Sequence, residues 1–377
     1  MDFTFTEEQQ AAVEAAKAVF AGVSPDGVPS PALTAGAVAE DFDRALWARL
    51  ADADLLSLLL DEEAGGAGLD AVALCLVLRE SAKVLARVPL LESSAATAAV
   101  RRYGGEELRS ELPARAGRGE LVLTVAANGR TGHDPAELAV TARRDGTAWV
   151  LDGVQTAVPW AHNADFVVVP AHTDAHRTVL ALVPLGHEGA VLAEQISTTG
   201  ERLGELRLES ARIAPRDVID AEGAWEWLRE LLATGTCALA LGLGEGVLRM
   251  TSEYTSKREQ FGFPVATFQA VAVQAADRYI DLRAMEATLW QAAWRIGTGA
   301  VGALPACGDV AVAKIWASEG VRRVVQTAQH LHGGFGADTE YALHRYHAWA
   351  KHLELSLGPA AAHEEALGDL LAAHVLG

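Results

Sequence analysis

The chain has 377 residues, 50% of them hydrophobic, and 31 basic against 50 acidic side chains, which gives a formal net charge of −19. A chain of this length and composition can bury substantial cores and divides into two or three domains. Because its negative charge repels phosphate groups, and no run of lysines or arginines offsets it locally, nucleic acid and anionic membrane surfaces are poor partners.

The ends and the apolar runs of the sequence favour a cytoplasmic protein. The longest nearly uncharged apolar run, residues 231–244, is shorter than a bilayer span and predicts a buried helix. The acidic, polar N-terminus lacks the basic and apolar regions of a secretory signal. The three cysteines, Cys75, Cys237 and Cys307, lie far apart and predict small buried apolar residues rather than disulfides or a zinc site.

Helical patterns broken by glycine and proline fill residues 1–117. In "TFTEEQQAAVEAAKAVFAG", Thr6 is the predicted N-cap and Gln9 completes a capping box. Helical spacing continues in "DFDRALWARLADADLLSLLL" and "LDAVALCLVLRESAKVLARV". We therefore predict an N-terminal α-helical domain over residues 1–117.

Short runs of apolar and β-branched residues replace the helical period in residues 118–221. They are four to eight residues long, several alternate, and Gly, Asp or Pro separates them. The pair Asp145-Gly146 between "AVTARR" and "TAWVLDG" is a strong hairpin signal. This region predicts a small antiparallel β domain.

The helical period returns in residues 222–377, where four long helical stretches with short breaks favour a four-helix bundle. The predicted fold class is α+β, with an N-terminal helical domain, a central β domain and a C-terminal bundle.

The C-terminal region contains "KREQFG" at residues 257–262, "FQ" at 268–269 and "HGGFGADTEY" at 332–341. A planar guanidinium suits a pyrophosphate, and paired glycines let backbone N–H groups approach phosphate oxygens. Each motif alone has another explanation. Arg258 could pair with a nearby glutamate, Glu253 or Glu259, and the glycines could form a turn between helices.

On this domain order and at this spacing, the three motifs resemble the acyl-CoA dehydrogenase family over essentially the whole chain. The resemblance implies FAD as cofactor, an acyl-CoA thioester as substrate, a homo- or heterotetramer, and electron-transfer flavoprotein or a similar acceptor. It also implies these cofactor-binding residues: Arg258, Phe261, Gln269, Gly333, Gly334 and, through its backbone, Val158.

The family removes the acyl α-proton with a carboxylate while the flavin accepts the β-hydride. Carrying the family spacing forward places Leu357 at the usual base position, and the alternative position on the first bundle helix is Leu232. Leucine cannot accept a proton. The nearest carboxylates, Glu354 and Glu230, are weak candidates for a displaced base, and solvated or inter-subunit carboxylates are the alternative explanation.

The β domain also departs from the family. Family members use a loop containing Gly-Ser-Asp and a Trp-Ile-Thr type strand against the flavin, and here these regions read "TVAANGRTGHDP" and "GVQTAVPWAHNAD". Ala157, Val158 and Pro159 offer no side-chain hydroxyl, so the predicted contact there is the backbone of Val158.

Six histidines near the C-terminus raise the question of a metal site. His344 and His347 are three residues apart, but no HExxH or comparable cluster accompanies them. We predict no metal centre, and expect solvated or interface histidines.

Three hypotheses follow from the resemblance. The chain could be a flavoprotein acting alone with Glu230 or Glu354 as base, or a non-catalytic partner in an α2β2 complex like those of actinobacterial steroid-side-chain acyl-CoA dehydrogenases. It could also be a flavin-dependent oxidase or monooxygenase on the same fold.

Overall fold

The computed structural model describes residues 4–25, 28, 31, 33–39, 41–131, 139–175 and 177–374. Helices come first, then a sheet, then long helices, so the predicted α+β fold class is confirmed. The predicted domain limits at 117/118 and 221/222 fall between the last N-terminal helix and the first sheet strand, and between the last sheet strand and the first long helix.

The N-terminal region is helical because apolar residues recur at helical spacing between capping residues. The Thr6 hydroxyl accepts a hydrogen bond from Gln9 N at 3.2 Å, and the Gln9 side chain accepts one from Thr6 N at 3.0 Å, which confirms the predicted capping box. The α-helices among its described residues are α1 (Glu7–Phe20), α2 (Arg44–Asp52), α3 (Ala71–Lys83), α4 (Leu90–Tyr103), α5 (Glu106–Glu111) and α6 (Pro113–Gly117).

The central region forms one eight-stranded sheet, in the order β6-β7-β3-β2-β4-β5-β8, with β1 paired to β4. Its strands are β1 (Leu123–Val125), β2 (Val140–Asp145), β3 (Ala148–Pro159), β4 (Phe166–Thr173), β5 (Thr178–Pro184), β6 (Ala190–Ile196), β7 (Arg202–Ile213) and β8 (Val218–Ile219).

The predicted hairpin forms between β2 and β3, where Asp145 pairs with Ala148 and Gly146 has a φ of +62°. The sheet differs from the purely antiparallel prediction, because β4 runs parallel to both β1 and β2. Each of these parallel partners is separated from β4 by a longer stretch of chain, and such long-range pairing leaves no local signal in the sequence.

Long helices form the C-terminal region, where a short two-stranded hairpin (β9, Glu259–Gln260; β10, Phe263–Pro264) follows the first helix. The helices are α7 (Ala224–Lys257), α8 (Gln269–Thr298), α9 (Ala306–His332), α10 (Leu343–Leu355) and α11 (Ala360–Ala373). α7 is long and apolar enough to cross a membrane, but 83% of its most apolar window is buried within the protein, as in the core helix of a bundle.

Glycines in α7 allow the N-terminal helices to pack against the bundle. A β-carbon on Gly242 would lie 2.0 Å from the carbonyl oxygen of Arg79 in α3, and one on Gly235 would lie 2.2 Å from Leu91 in α4. Only glycine permits this close approach. Burial also agrees with the prediction for Cys75 and Cys237, whereas Cys307 is only half-buried because it lies in the first turn of α9.

Candidate functional site

The segment after α7 is shaped by a tight turn. Phe261 and Gly262 connect β9 to β10, and their φ values of +54° and +79° are those of a two-residue turn of type I′. Arg258 stands immediately before this hairpin, and its carbonyl oxygen accepts a hydrogen bond from Val265 N at 2.7 Å. The backbone of Arg258 is thus fixed while its guanidinium is exposed.

Aromatic stacking brings the glycine turn beside the end of α7. The ring of Tyr254, one helical turn before Arg258, stacks on His332 at 4.3 Å and on Phe335 at 5.6 Å between ring centroids. Gly333 has a φ of +61°, which favours glycine, and a β-carbon on Gly334 would meet no atom within 4 Å. The backbone of the turn is therefore open to an external group.

The start of α8 completes this surface, which we call the outer edge (Arg258, Phe261, Gln269, Gly333 and Gly334). Gln269 is the exposed first residue of α8. The adjacent Phe268 contacts Phe261 edge to face at 6.4 Å, so the hairpin and the helix start lie together. Phe261 is 90% exposed, which is unusual for a large apolar side chain. The outer edge hence joins three predicted motifs on one surface.

The charge of Arg258 is available at the outer edge. The alternative explanation paired it with Glu253 or Glu259, but Arg258 forms no ion pair with any residue that the structure describes. An exposed guanidinium without a carboxylate partner can bind a pyrophosphate with its fork of donors. These donors fit the pyrophosphate of FAD.

A separate cavity of about 130 Å³ lies where α3, α4, α7 and α10 meet the end of β3. Leu232 of α7 and Leu357 of the loop after α10 both line it. The two positions at which the family carries its catalytic base therefore converge on one cavity, although 125 residues separate them in the sequence. Both positions are apolar.

Hydrogen bonds within the protein hold the loop that carries Leu357. Lys314 Nζ donates to the carbonyl oxygen of Gly358 at 3.1 Å and lies 3.4 Å from the carbonyl oxygens of Leu353 and Glu354. His363 Nε2 bonds to the carbonyl oxygen of Leu357 at 2.9 Å. Lys314 is 1% exposed, and burial lowers its pKa to about 8.

The wall of the cavity formed by β3 has few polar groups left for a flavin. Asn128 donates to the carbonyl oxygen of Ala157 at 3.0 Å, and Ala157 N donates to the side chain of Gln195 at 2.8 Å. Pro159 has no N–H, and its carbonyl oxygen accepts from Thr124 at 2.6 Å. This wall does not fit the flavin contacts of the family.

The rest of the predicted flavin contact comprises Val158 and the flavin loop. Val158 is 0% exposed in the β-domain core and pairs with Gly204 in the ladder of β3 and β7, so its proposed cofactor contact stays a prediction. Residues 132–135 of the predicted flavin loop "TVAANGRTGHDP" lie outside the described residues.

The two weak base candidates do not line the cavity. Glu354 pairs with Lys351 at 2.7 Å. Glu230 is half-buried on α7, and burial raises its pKa. Their catalytic role stays a prediction that this geometry does not favour.

Sequence reasoning missed Glu92 and His352, which both line the cavity. Burial raises the pKa of Glu92 to about 7 and lowers that of His352 to about 4. The sequence could have indicated Glu92, because it is an isolated carboxylate in the apolar stretch "LLESSAATAAV". No sequence pattern indicates His352, since its position within a histidine-rich helix does not reveal which face meets the cavity.

The acyl-CoA dehydrogenase N-terminal domain family matches residues 6–120, and the acyl-CoA dehydrogenase C-terminal domain family matches residues 230–371. Acyl-CoA dehydrogenase FadE27 of Mycobacterium tuberculosis is 36% identical over 377 residues, covering 99% of each chain. The chain belongs to the acyl-CoA dehydrogenase family. This assignment confirms the predicted family and, at the level of the family, the predicted cofactor FAD.

Two solved structures of this family are similar over almost the whole chain. The ChsE4-ChsE5 complex from Mycobacterium tuberculosis has a TM-score of 0.88 and 36% identity, covering 99% of both chains. A variant of the Tcur3481-Tcur3483 steroid acyl-CoA dehydrogenase has a TM-score of 0.88 and 36% identity, covering 97% of this chain and 98% of that chain. These similarities confirm the acyl-CoA dehydrogenase-like fold.

Proposed function

We propose that this chain is a subunit of an acyl-CoA dehydrogenase complex, in which it completes the FAD site of a partner chain and does not supply the catalytic base. One observation carries the proposal: Leu232 and Leu357, which stand at both of the family's base positions, line one cavity. Removal of an α-proton requires a group that can accept it, and neither leucine can.

The contrast between the outer edge and the cavity wall supports sharing of the cofactor. Bound FAD supplies the hydride acceptor of the reaction. At the outer edge, Arg258 would donate hydrogen bonds to the pyrophosphate, Gly334 would leave room for it, and Gln269 would add a polar contact. All three residues are exposed in this chain and so can reach a cofactor held mainly by another chain.

Exposed aromatic side chains support a partner at the same surface. Phe261 is 90% exposed and Phe263 is 61% exposed, and both belong to the hairpin that follows Arg258. Aromatic side chains that extend into solvent mark interaction surfaces. A partner subunit that covers the hairpin would bury them and bring its FAD to Arg258.

The similarity to the ChsE4-ChsE5 complex supports an assembly with a second subunit. The similarity to a steroid acyl-CoA dehydrogenase supports a steroid-type substrate. The proposed assembly is an α2β2 tetramer in the cytoplasm. Its proposed substrate is a bulky, steroid-type acyl-CoA thioester, and electron-transfer flavoprotein or a similar protein accepts its electrons.

The test is to purify the chain alone and after co-expression with a family member that has a glutamate at the base position. Flavin absorbance gives the FAD content, and bleaching by an acyl-CoA substrate gives the activity. We expect stoichiometric FAD and bleaching only in the complex. Tight stoichiometric FAD and bleaching with the chain alone would contradict the proposal and support a homotetramer that uses a displaced base.

A further inference from the structure

The cavity has the size of a binding site for one small ring. Its volume is about 130 Å³, and most of its lining is aliphatic or aromatic. An engineered apolar cavity of about 150 Å³ in another protein stays dry and binds benzene. Leu239 and Leu243 of α7 line one side, and Leu357 closes another. A molecule with one ring fits this space.

A histidine supplies a polar group to this apolar cavity. His352 lines it, and its ring contacts Trp349 edge to face at 5.6 Å between centroids. Within the described ranges, no residue forms a hydrogen bond with the His352 ring. Because burial lowers its pKa to about 4, the imidazole is neutral at pH 7 and offers one N–H donor and one acceptor nitrogen. A ligand with a hydroxyl or carbonyl group can bond to it.

Glu92 is another ionisable group of the cavity lining. The indole of Trp160 adjoins the Glu92 side chain and favours the ionised form of its carboxyl group, and the same indole packs edge to face against Phe42 at 6.2 Å. Glu92 and Trp160 therefore form a polar part of the wall. Glu92 thus has a polar neighbour, whereas the described residues leave the His352 ring without a hydrogen-bond partner.

Charged ligands are disfavoured in this cavity. Arg202 lines it but pairs with Glu194 at 2.7 Å, and Glu201 lines it but pairs with Arg87 at 2.6 Å. Arg202 Nε is buried without a hydrogen-bond partner, but the guanidinium charge is already matched by Glu194. A ligand carboxylate would therefore bury a charge that no free cation balances, which is costly.

We propose that this cavity is a ligand site for a small uncharged cyclic molecule with one hydroxyl or carbonyl group, which forms a hydrogen bond with His352. The ring packs against the leucines of α7 and Leu357. No covalent step is involved. The site goes beyond the proposed sharing of FAD and does not depend on it, because none of the outer-edge residues lines the cavity.

Calorimetric titration of the full chain with three probes tests the proposal at neutral pH. The probes are 4-methylphenol, toluene and 4-methylbenzoate, which share one ring and differ in the polar group. We expect 4-methylphenol to bind about threefold to tenfold more tightly than toluene, as one hydrogen bond implies, and 4-methylbenzoate to bind most weakly.

Variants locate the binding. Leu239→Trp should fill the cavity and abolish binding of both neutral probes, and His352→Phe should remove the preference for 4-methylphenol while toluene still binds. His347→Phe, on the same helix but outside the cavity lining, is the matched control and should retain that preference.

Three results would overturn the proposal. The first is that neither neutral probe binds up to its solubility limit, which would show that the cavity is not a site for such ligands. The second is unchanged binding in Leu239→Trp, which would place the ligand elsewhere. The third is equal affinity of wild-type protein for 4-methylphenol and toluene, and this result needs no variant to fold.

Discussion

The outer edge and the cavity are reached by the same helix, yet they differ in chemistry. Leu232 lies in the first half of α7 and Arg258 just after its end, 26 residues later, which is about 39 Å along a helix. The outer edge presents an arginine, an amide and open glycines, whereas the cavity is lined mainly by aliphatic and aromatic side chains and also contains Glu92 and His352. One chain thus presents two surfaces of different chemistry, which can be tested separately.

The largest expected effect concerns Lys314, which holds the loop of the cavity. Its pKa falls from an ordinary 10.5 to about 8 because the ammonium is buried. Between these pH values the unfolded chain binds a proton that the folded chain does not. The free energy of unfolding therefore rises with pH across this window, by on the order of 3 kcal/mol. Below the window both the folded and the unfolded chain bind the proton, so this stabilisation is absent there.

Urea unfolding of wild-type protein and Lys314→Met at both ends of this window measures the effect. The variant should lack the rise due to Lys314, while other groups that titrate in the window, such as the less buried lysines, contribute equally to both proteins. Identical pH dependence in the two proteins would show that the ammonium is not held as described, and that the loop is fixed by other contacts.

The next effect concerns Arg258 at the outer edge. Arg258→Ala removes charge-assisted hydrogen bonds to the pyrophosphate, so FAD affinity of the complex should fall about tenfold to a hundredfold. Flavin absorbance after equilibrium dialysis measures it. Lys257→Ala, which removes the adjacent exposed charge, is the control and should change affinity little. Equal losses in both variants would mean that general charge, not the guanidinium, attracts the cofactor.

Gly334→Ala should have a smaller effect, and this effect should appear only in the complex. A β-carbon on Gly334 meets no atom within 4 Å in this chain, so Gly334→Ala should leave the thermal stability of the isolated chain unchanged. In the complex the same methyl group would stand where backbone approaches phosphate, and FAD affinity should fall severalfold. Unchanged affinity in the complex would remove the glycine turn from the shared site.

Sequence alone predicted the features that rest on local chemistry. The capping box of Thr6 and Gln9 and the hairpin at Asp145-Gly146 depend on residues close in the chain, and both form. The parallel pairing of β4 with β1 and β2 joins distant segments, so no short pattern encodes it.

In the candidate site, too, the sequence revealed the local features but not those that depend on long-range packing. The spacing of the family motifs identified Leu232 and Leu357 as the residues at the base positions, but only the folded chain brings both to one cavity. The backbone partners of Ala157 and the position of His352 depend on packing between domains. These determine what the cavity can bind, and a single sequence does not reveal them.

The smallest expected effect concerns Glu354, the carboxylate nearest in sequence to the base position. Because it pairs with Lys351 and does not line the cavity, Glu354→Gln should change the activity of the complex by less than about twofold. Lys351→Met breaks the same ion pair and is the matched control. If Glu354→Gln lowered activity by about a thousandfold while Lys351→Met did not, Glu354 would be acting as the base, and the cavity would be a working active site.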